Sequence, residues 1–369
     1  MRVVSVALTD FRCYHTARLD LPVGVTAILG ENGQGKTSLL EGIAWTALGR
    51  SFRGVPDAAL VRAGAEQAIL RVAIEESGGR ARSVEAEIRL AARNRVLLDR
   101  HPLSRTRDLL GALRVTVFAP DDLELVKAGP AHRREYLDDL LVSVAPRYAA
   151  AHADYDRVLR QRNALLKGGV RDDEARTTLE VFDDQLVAAG AELVRGRLRL
   201  VARLGPAVDE AYRDLAGDEA RVDARYEAKW VEGGVPDVEA VGDALRGALD
   251  RLRRRELERG TTLVGPHRDE WRLLVGGLDS RTHASQGEQR TLALSLRLAG
   301  QRIVAETVDD DPVLILDDVF SELDDQRSKA LVKCLPGAQT LVTTAGALPP
   351  GVEPELRVRV ADGRIEPDA

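Results

Sequence analysis

Gly30-Glu31-Asn32-Gly33-Gln34-Gly35-Lys36-Thr37 fits the phosphate-binding template G-x-x-x-x-G-K-[ST], and its flanks are those the template needs. Before it, Val25-Thr26-Ala27-Ile28-Leu29 is a short β-branched and apolar run between Gly24 and Gly30, which reads as a buried strand. After it, Leu39, Leu40, Ile43, Ala44, Ala47 and Leu48 recur at helical spacing until Gly49 ends the pattern. Strand, glycine loop and helix in that order let backbone N–H groups close around a phosphate, with the partial positive charge of the helix N-terminus behind them. The residues from Gly30 to Ser38 are therefore candidate nucleotide ligands. Lys36 would neutralise the outer phosphates and the Thr37 hydroxyl would hold Mg²⁺.

Far downstream, Val313-Leu314-Ile315-Leu316-Asp317-Asp318 puts two carboxylates at the end of a fully apolar strand, where open parallel sheets bind their ligands. Such a run alone is often a strand meeting a solvated turn, and the upstream loop changes that reading. Asp317 is the candidate metal ligand and Asp318 the candidate group that orients or deprotonates the attacking water. Between loop and strand, Ser285-Gln286-Gly287-Glu288-Gln289 opens a helix. Ser285 and Glu288 have capping-box spacing, which suffices for a plain helix start. Ser, Gly and Gln at alternating positions also match the ATP-binding-cassette signature S-x-G-x-Q, and a helix N-terminus suits a γ-phosphate. Ser321-Glu322-Leu323-Asp324 then matches the D-loop of that superfamily, with Ser321 and Asp324 at its ends. The order of the four motifs implies an α/β P-loop ATPase head using ATP and Mg²⁺. In that superfamily the signature meets nucleotide held by the other subunit, so the resemblance implies an ATP-dependent homodimer.

With 369 residues, 44% apolar and 30% charged, the composition is that of a globular protein with room for two domains or one interrupted domain. A net charge of −6 leaves no global basic signature, so any nucleic-acid surface has to be local. Cys13 and Cys334 offer neither a disulfide framework nor metal spacing, which fits a reducing cytoplasm. No stretch reaches membrane-spanning length, and Asp10 and Arg12 interrupt the first apolar run, which argues against a signal peptide.

Residues 1–133 and 261–369 alternate strand-like runs with turns and read as a split ATPase head. Residues 134–260 read as an inserted helical arm, with breaks near Gly168-Gly169, Gly205-Pro206 and Gly233-Gly234. Val358 to Ile365 reads as a hairpin about the turn Asp362-Gly363.

Several segments resemble the RecF family of bacterial recombination-mediator ATPases. They include Thr9-Asp10-Phe11-Arg12-Cys13-Tyr14, Gly49-Arg50-Ser51-Phe52-Arg53, Phe118-Ala119-Pro120-Asp121-Asp122-Leu123 and Lys127-Ala128-Gly129-Pro130. Arg133-Arg134-Glu135-Tyr136-Leu137-Asp138, Gly265-Pro266-His267-Arg268-Asp269 and Leu316 through Asp324 extend the resemblance along nearly the whole chain. Asp318 stands where transporter cassettes carry glutamate, Thr344 stands where a switch histidine is expected, and no Q-loop glutamine is found near Ala119 to Asp122. The resemblance implies slow hydrolysis, a place for Arg12 near adenine or ribose, binding to double-stranded or gapped DNA, and work with RecR and RecO in loading recombinase during replication, repair and recombination.

Local charge points the same way. Arg195, Arg199 and Arg203 fall on one helical stripe with Arg197 close by, although a solvated surface helix has the same pattern. Between Arg80 and Arg114 there are nine arginines against four acids, a candidate second phosphate-binding face. His267 beside Asp269 lacks nucleophile or metal spacing and reads as structural hydrogen bonding. A transporter subunit shares the motifs, but about 250 residues between phosphate loop and signature exceed what a transport cassette needs. An SMC-type scaffold shares the split head but needs a heptad arm far longer than this insertion.

Overall fold

The computed structural model describes residues 1–217, 221–231, 237, 239–335 and 337–368. Contacts divide them into two compact units, one of Met1–Leu123, Asp214–Gly217 and Arg290–Ala369, the other of Glu124–Arg213 and Asp218–Gln289. The expected break at Gly233-Gly234 lies outside the described residues.

The first unit holds two six-stranded sheets. One is antiparallel: β1 (Arg2–Phe11) pairs with β2 (Tyr14–Asp20) and with β4 (Gln67–Glu75), followed by β5 (Ala81–Arg89), β6 (Arg95–Leu98) and β7 (His101–Pro102). Its strands alternate buried apolar residues such as Ala68, Leu70, Val72 and Ile74 with more exposed ones, as a sheet covered on one face requires. The other sheet has the order β15-β14-β3-β13-β12-β8 and is parallel apart from its last hairpin. Its members are β3 (Val25–Leu29), β8 (Val115–Phe118), β12 (Val313–Asp317), β13 (Thr340–Thr344), β14 (Leu356–Ala361) and β15 (Arg364–Pro367). Strands β12 and β13 are buried at every position, as parallel strands covered on both faces should be.

Helix α1 (Lys36–Leu48) packs against strands of both sheets. Leu39, Leu40, Ile43, Ala44 and Trp45 are fully buried, so this helix is apolar all round rather than on one stripe. Gly49 closes it in a left-handed C-cap, donating its N–H to Trp45 O. Buried Gln339 joins the sheets: it exchanges hydrogen bonds with the Val3 backbone and donates to Pro22 O at 2.7 Å. The hairpin turn is as expected, with Ala361 opposite Arg364 and with Asp362 and Gly363 at φ 48° and 68°, the pattern of a two-residue type I′ loop.

The second unit begins with the short α2 (Glu124–Lys127) and α3 (Pro130–Val144), then α4 (Arg147–Gly168), α5 (Asp173–Ala216, whose last turn joins the first unit) and α6 (Val241–Arg259). Helix α4 ends at Gly168-Gly169 as expected. The expected break at Gly205-Pro206 does not occur, and Pro206 lies inside α5. The proline removes one donor, but Gly205 has no Cβ to clash with its ring, and buried Leu204, Val208, Ala211 and Tyr212 anchor the helix on both sides. Nor is the segment wholly helical. β9 (Val222–Glu227) pairs antiparallel with β10 (Glu270–Val275), which also pairs with β11 (Leu278–Asp279). Helix α7 (Ser280–His283) follows, then α8 (Gln286–Val308), whose first turn belongs to this unit and whose remainder belongs to the first; α9 (Asp325–Cys334) is in the first unit.

Candidate nucleotide-binding site

Strands β3, β13 and β12 lie side by side and parallel, so their C-terminal ends deliver the glycine loop, Thr343-Thr344 and Asp317-Asp318 to one edge. The loop is shaped by residues that only glycine satisfies. Gly35 has φ 115°, and a Cβ there would lie 2.6 Å from Cys13 Sγ; Gly30 has φ 148° and would meet Val360 O at 2.3 Å. Tyr14 fixes the loop's end by donating its hydroxyl to Gly35 O at 2.9 Å.

Lys36 is buried, and its ammonium donates to Gly30 O at 2.6 Å and Glu31 O at 2.8 Å, across the mouth of its own loop. Burial lowers its pKa, while the charges of Asp318 and Asp317 oppose that shift. Thr37 Oγ1 donates to Asp317 Oδ1 at 2.9 Å, joining residues 280 positions apart. Thr343 donates to the same oxygen at 2.8 Å. Burial pushes the Asp317 carboxyl up; the two threonine hydrogen bonds and the Arg53 charge pull it down, and Asp318 pushes it further up. Asp318 takes the left-handed conformation at φ 52°, donates its N–H to Thr343 Oγ1 at 2.9 Å, and has a buried Oδ1 without a hydrogen-bond partner. A hydroxyl, a carboxylate and an orphaned carboxylate oxygen are hard donors that fit Mg²⁺, an ion that uses few protein ligands and completes its shell with phosphate and water.

Tyr14 and Arg53 lie in segments that carry the family resemblance but have no role assigned from sequence, and Thr343 gives no sequence signal at all. Thr343 sits in a β-branched strand run where strand propensity alone accounts for threonine. Thr344, the switch candidate, is buried at the end of β13 and accepts the Gly346 N–H at 3.1 Å. Arg12 has φ 55° and clasps the fully buried Glu41 with two nitrogens at 2.8 and 2.9 Å, while a third donates to Ala59 O at 3.1 Å. Ser51 also donates to Glu41, so the turn at Arg12 and the segment after α1 share one buried carboxylate.

The D-loop residues lie in the same unit. Ser321 donates its hydroxyl to Asp318 O at 2.8 Å, and Asp324 caps α9 by accepting the Arg327 N–H at 2.8 Å. Arg327 Nε donates to Thr291 Oγ1 of α8 at 2.9 Å.

The signature lies at the edge of the second unit. Its capping box is reciprocal: Ser285 N–H donates to Glu288 Oε2 at 2.7 Å and Glu288 N–H to Ser285 Oγ at 3.3 Å. Ser285 and Gln286 are exposed and Gly287 is half-buried, whereas buried Gln289 anchors the turn by donating to Ser280 O at 3.0 Å.

Of the arginine stripe, Arg199 and Arg203 are exposed and Arg195 is half-buried, with Glu192 3.9 Å from Arg195 and Glu239 4.0 Å from Arg199. Arg197 does not belong to that face. It is buried, bidentate on Asp138 at 2.8 and 2.7 Å, and donates to Pro266 O at 2.7 Å. The arginine-rich stretch from Arg80 to Arg114 is partly neutralised, because Arg82 meets Asp99 and Glu76 while Arg89 and Arg95 share Glu87. His267 accepts from or donates to Tyr155 at 2.7 Å, and Asp269 accepts from Tyr226 at 2.6 Å and Trp230 at 2.5 Å, a structural network as expected.

A family model described as the RecF/RecN/SMC N terminal domain matches residues 2–346. The chain is 44% identical to the DNA replication and repair protein RecF of Kineococcus radiotolerans, over 97% of this chain and 95% of that one. To the protein of the same name from Frankia alni it is 47% identical, over 94% and 93%. Among solved structures it is similar to one described as the recombination mediator protein RecF-ATP in the RecFOR pathway, with TM-score 0.92 and 30% identity over 100% of this chain and 97% of that one. An Smc head bound to the C-winged helix domain of ScpA shares the fold alone, at TM-score 0.59 and 15% identity over 99% of this chain and 96% of that one. Full-length identity to curated relatives, together with the ATPase-type head built around the phosphate loop, leads to one conclusion: the chain belongs to the RecF family.

Proposed function

We propose that the chain is an ATP-dependent DNA-binding protein of recombinational repair, driven into a two-fold dimer by ATP and released by slow hydrolysis. The observation that carries the reading is the meeting of Lys36 and Thr37, which follow β3, with Asp317 and Asp318 at the end of β12, the two strands that flank β13 in one parallel sheet. Backbone N–H groups from Gly30 to Gly35 and the start of α1, with the Ser38 hydroxyl, bind the phosphates. Lys36 leaves its loop carbonyls for the outer phosphates. Thr37 and Asp317 hold Mg²⁺, which when bound offsets phosphate charge. Asp318, with one oxygen free of protein hydrogen bonds, orients and deprotonates water. Asp318 is one carbon shorter than the glutamate of transporter cassettes and so would have to reach further to the water, which is the reason we assign for slow hydrolysis. We assign Arg12 to the base or ribose side and Thr344 to the switch position.

Ser285, Gln286, Gly287, Glu288 and Gln289 act in trans, on the γ-phosphate held by a second copy, with Ser321 and Asp324 at the same junction. The exposure of Ser285 and Gln286 supports that use. We assign residues 134–260 to an arm inserted in a head made of 1–133 and 261–369, whereas the contact division places 124–133 and 261–289 with the second unit. Arg195, Arg199 and Arg203 supply a phosphate-contacting stripe. The relatives described within the RecFOR pathway support RecR and RecO as partners. A chain with two cysteines that form no disulfide framework fits a cytoplasmic location. Among the described residues no helix is long and apolar enough to cross a membrane.

Equilibrium binding of a fluorescent ATP analogue to wild type and Lys36→Ala tests the reading. The variant should lose at least about 100-fold in affinity, equivalent to ~2.7 kcal/mol. Equal affinity in a folded variant overturns the assignment.

A further inference from the structure

The C-terminal hairpin touches the phosphate loop at three places, all within the first unit. Strand β14 pairs in parallel with β3, the strand that feeds the loop, with Arg359 opposite Leu29. Beyond that pairing the hairpin turn overhangs the loop. The Asp362 N–H donates to the Gln34 side-chain Oε1 at 2.6 Å, and the Gly363 N–H points at Gln34 O at 3.4 Å. Val360 O occupies the space where a side chain at Gly30 would go, 2.3 Å from a Cβ there. The turn is itself boxed in, because a Cβ on Gly363 would lie 2.8 Å from Cys13 O, and φ at Gly363 is 68°.

These contacts explain residues that phosphate chemistry leaves idle. Gln34 is one of the four variable positions of the G-x-x-x-x-G-K-[ST] template, which asks nothing of its side chain. Here the Gln34 amide oxygen is used by a backbone donor 328 residues away. The type I′ geometry matters too: with both central residues left-handed, the turn directs its N–H groups at the loop. A glycine loop on its own is entropically costly to order, and ordering it before the ligand arrives raises affinity.

We propose that the Asp362-Gly363 turn is a clamp that preorganises the phosphate loop through Gln34, so that nucleotide affinity is set partly by the C-terminal hairpin. Gln34 is thus a positioning residue whose partner is the hairpin, and it makes no required contact with phosphate. The inference rests on the nucleotide reading of the site.

The test is a double-mutant cycle on the full chain, with Mg·ATP analogue affinity as readout and Lys36→Ala as the control for the site itself. Its members are wild type, Gln34→Ala, a hairpin whose Asp362-Gly363 turn is replaced by Gly-Ser-Gly-Ser-Gly, and the combination. Gln34→Ala should weaken binding about five- to tenfold in the native-hairpin background and have almost no effect in the replaced-turn background, the coupling expected of groups that act as one. The thermal midpoint of the ATP-free Gln34→Ala protein should match wild type. Hydrogen exchange of the backbone amides of residues 361–363 gives a second readout that needs no hairpin variant: ATP should slow it in wild type and fail to slow it in Gln34→Ala. Unchanged affinity in Gln34→Ala, equal losses in both backgrounds, or ATP protection of the turn that survives in Gln34→Ala each overturn the clamp. A wild type that binds no ATP, or binds it equally well after Lys36→Ala, counts instead against the nucleotide reading.

Discussion

Thr343 donates its hydroxyl to Asp317 Oδ1 at 2.8 Å and accepts the Asp318 N–H at 2.9 Å, so one buried side chain fixes both acids of the strand end. It orients the carboxylate that shares its oxygen with Thr37, and it holds the left-handed turn that aims Asp318. Thr343→Val, similar in shape, removes both bonds. A hydrogen bond to a carboxylate contributes about 1.5–3 kcal/mol, so Mg²⁺-dependent nucleotide affinity should fall at least about tenfold. Thr343→Ser should restore most of it. Titration of Mg²⁺ at fixed nucleotide decides the point, and a valine variant with wild-type Mg²⁺ dependence contradicts it.

Asp318→Asn keeps size and some hydrogen-bonding capacity but removes basicity. Mg·ATP should still bind, turnover should fall about 100-fold or more, and the complex should stay longer on DNA in ATP. Asp317→Asn should weaken Mg²⁺-dependent binding itself. Single-turnover hydrolysis and DNA dissociation rates of both variants separate the two roles; wild-type turnover in Asp318→Asn would show that another group positions the water.

Two neighbouring residues of the second unit should give opposing pH dependences. Burial raises the Asp269 pKa from 3.8 to about 6, against hydrogen bonds from Tyr226 and Trp230. The folded state therefore holds more protons than the unfolded chain between those values, and stability falls as pH rises across them. Burial lowers His267 from 6.5 to about 4, with Arg268 adding to the effect. Here the unfolded chain holds more protons between those values, and stability falls as pH drops across them. Each slope reaches at most about 1.4 kcal/mol per pH unit, and the two nearly cancel between about pH 4 and 6. Relative to wild type, His267→Asn should gain stability on acidification from pH 6 to 4 and Asp269→Asn should lose it. Urea midpoints across that range check the signs, and parallel profiles for all three proteins contradict the assignment.

The nucleotide end of the fold was legible because its physics is local. A strand, a glycine loop and a helix contiguous in sequence leave little freedom, and β3, α1 and the Asp362-Gly363 hairpin fall where the residues indicate. What was not legible depends on partners remote in sequence. β9 carries the alternation Val222, Ala224, Tyr226, but six residues amid helical texture become a strand only because β10, more than 40 residues later, pairs with them. Arg197 lies two residues from Arg195 and from Arg199, about 200° round the helix from each, so it faces away from their stripe; what the sequence does not show is that Asp138 and Pro266 take it up. The Gly205-Pro206 break failed for a related reason: packing on both sides outweighed one missing donor.

The central claim is that ATP joins two copies through the phosphate loop of one and the signature of the other. Ser285→Arg tests it most directly, because Ser285 is exposed and its replacement by a bulky cation should fill the γ-phosphate seat while leaving the capping carboxylate of Glu288 in place. Sedimentation velocity of wild type and Ser285→Arg, with and without Mg·ATP, is the measurement. The account predicts an ATP-dependent dimer for wild type and a monomer for Ser285→Arg that binds ATP with near-wild-type affinity. A Ser285→Arg protein that dimerises with ATP as wild type does would contradict it.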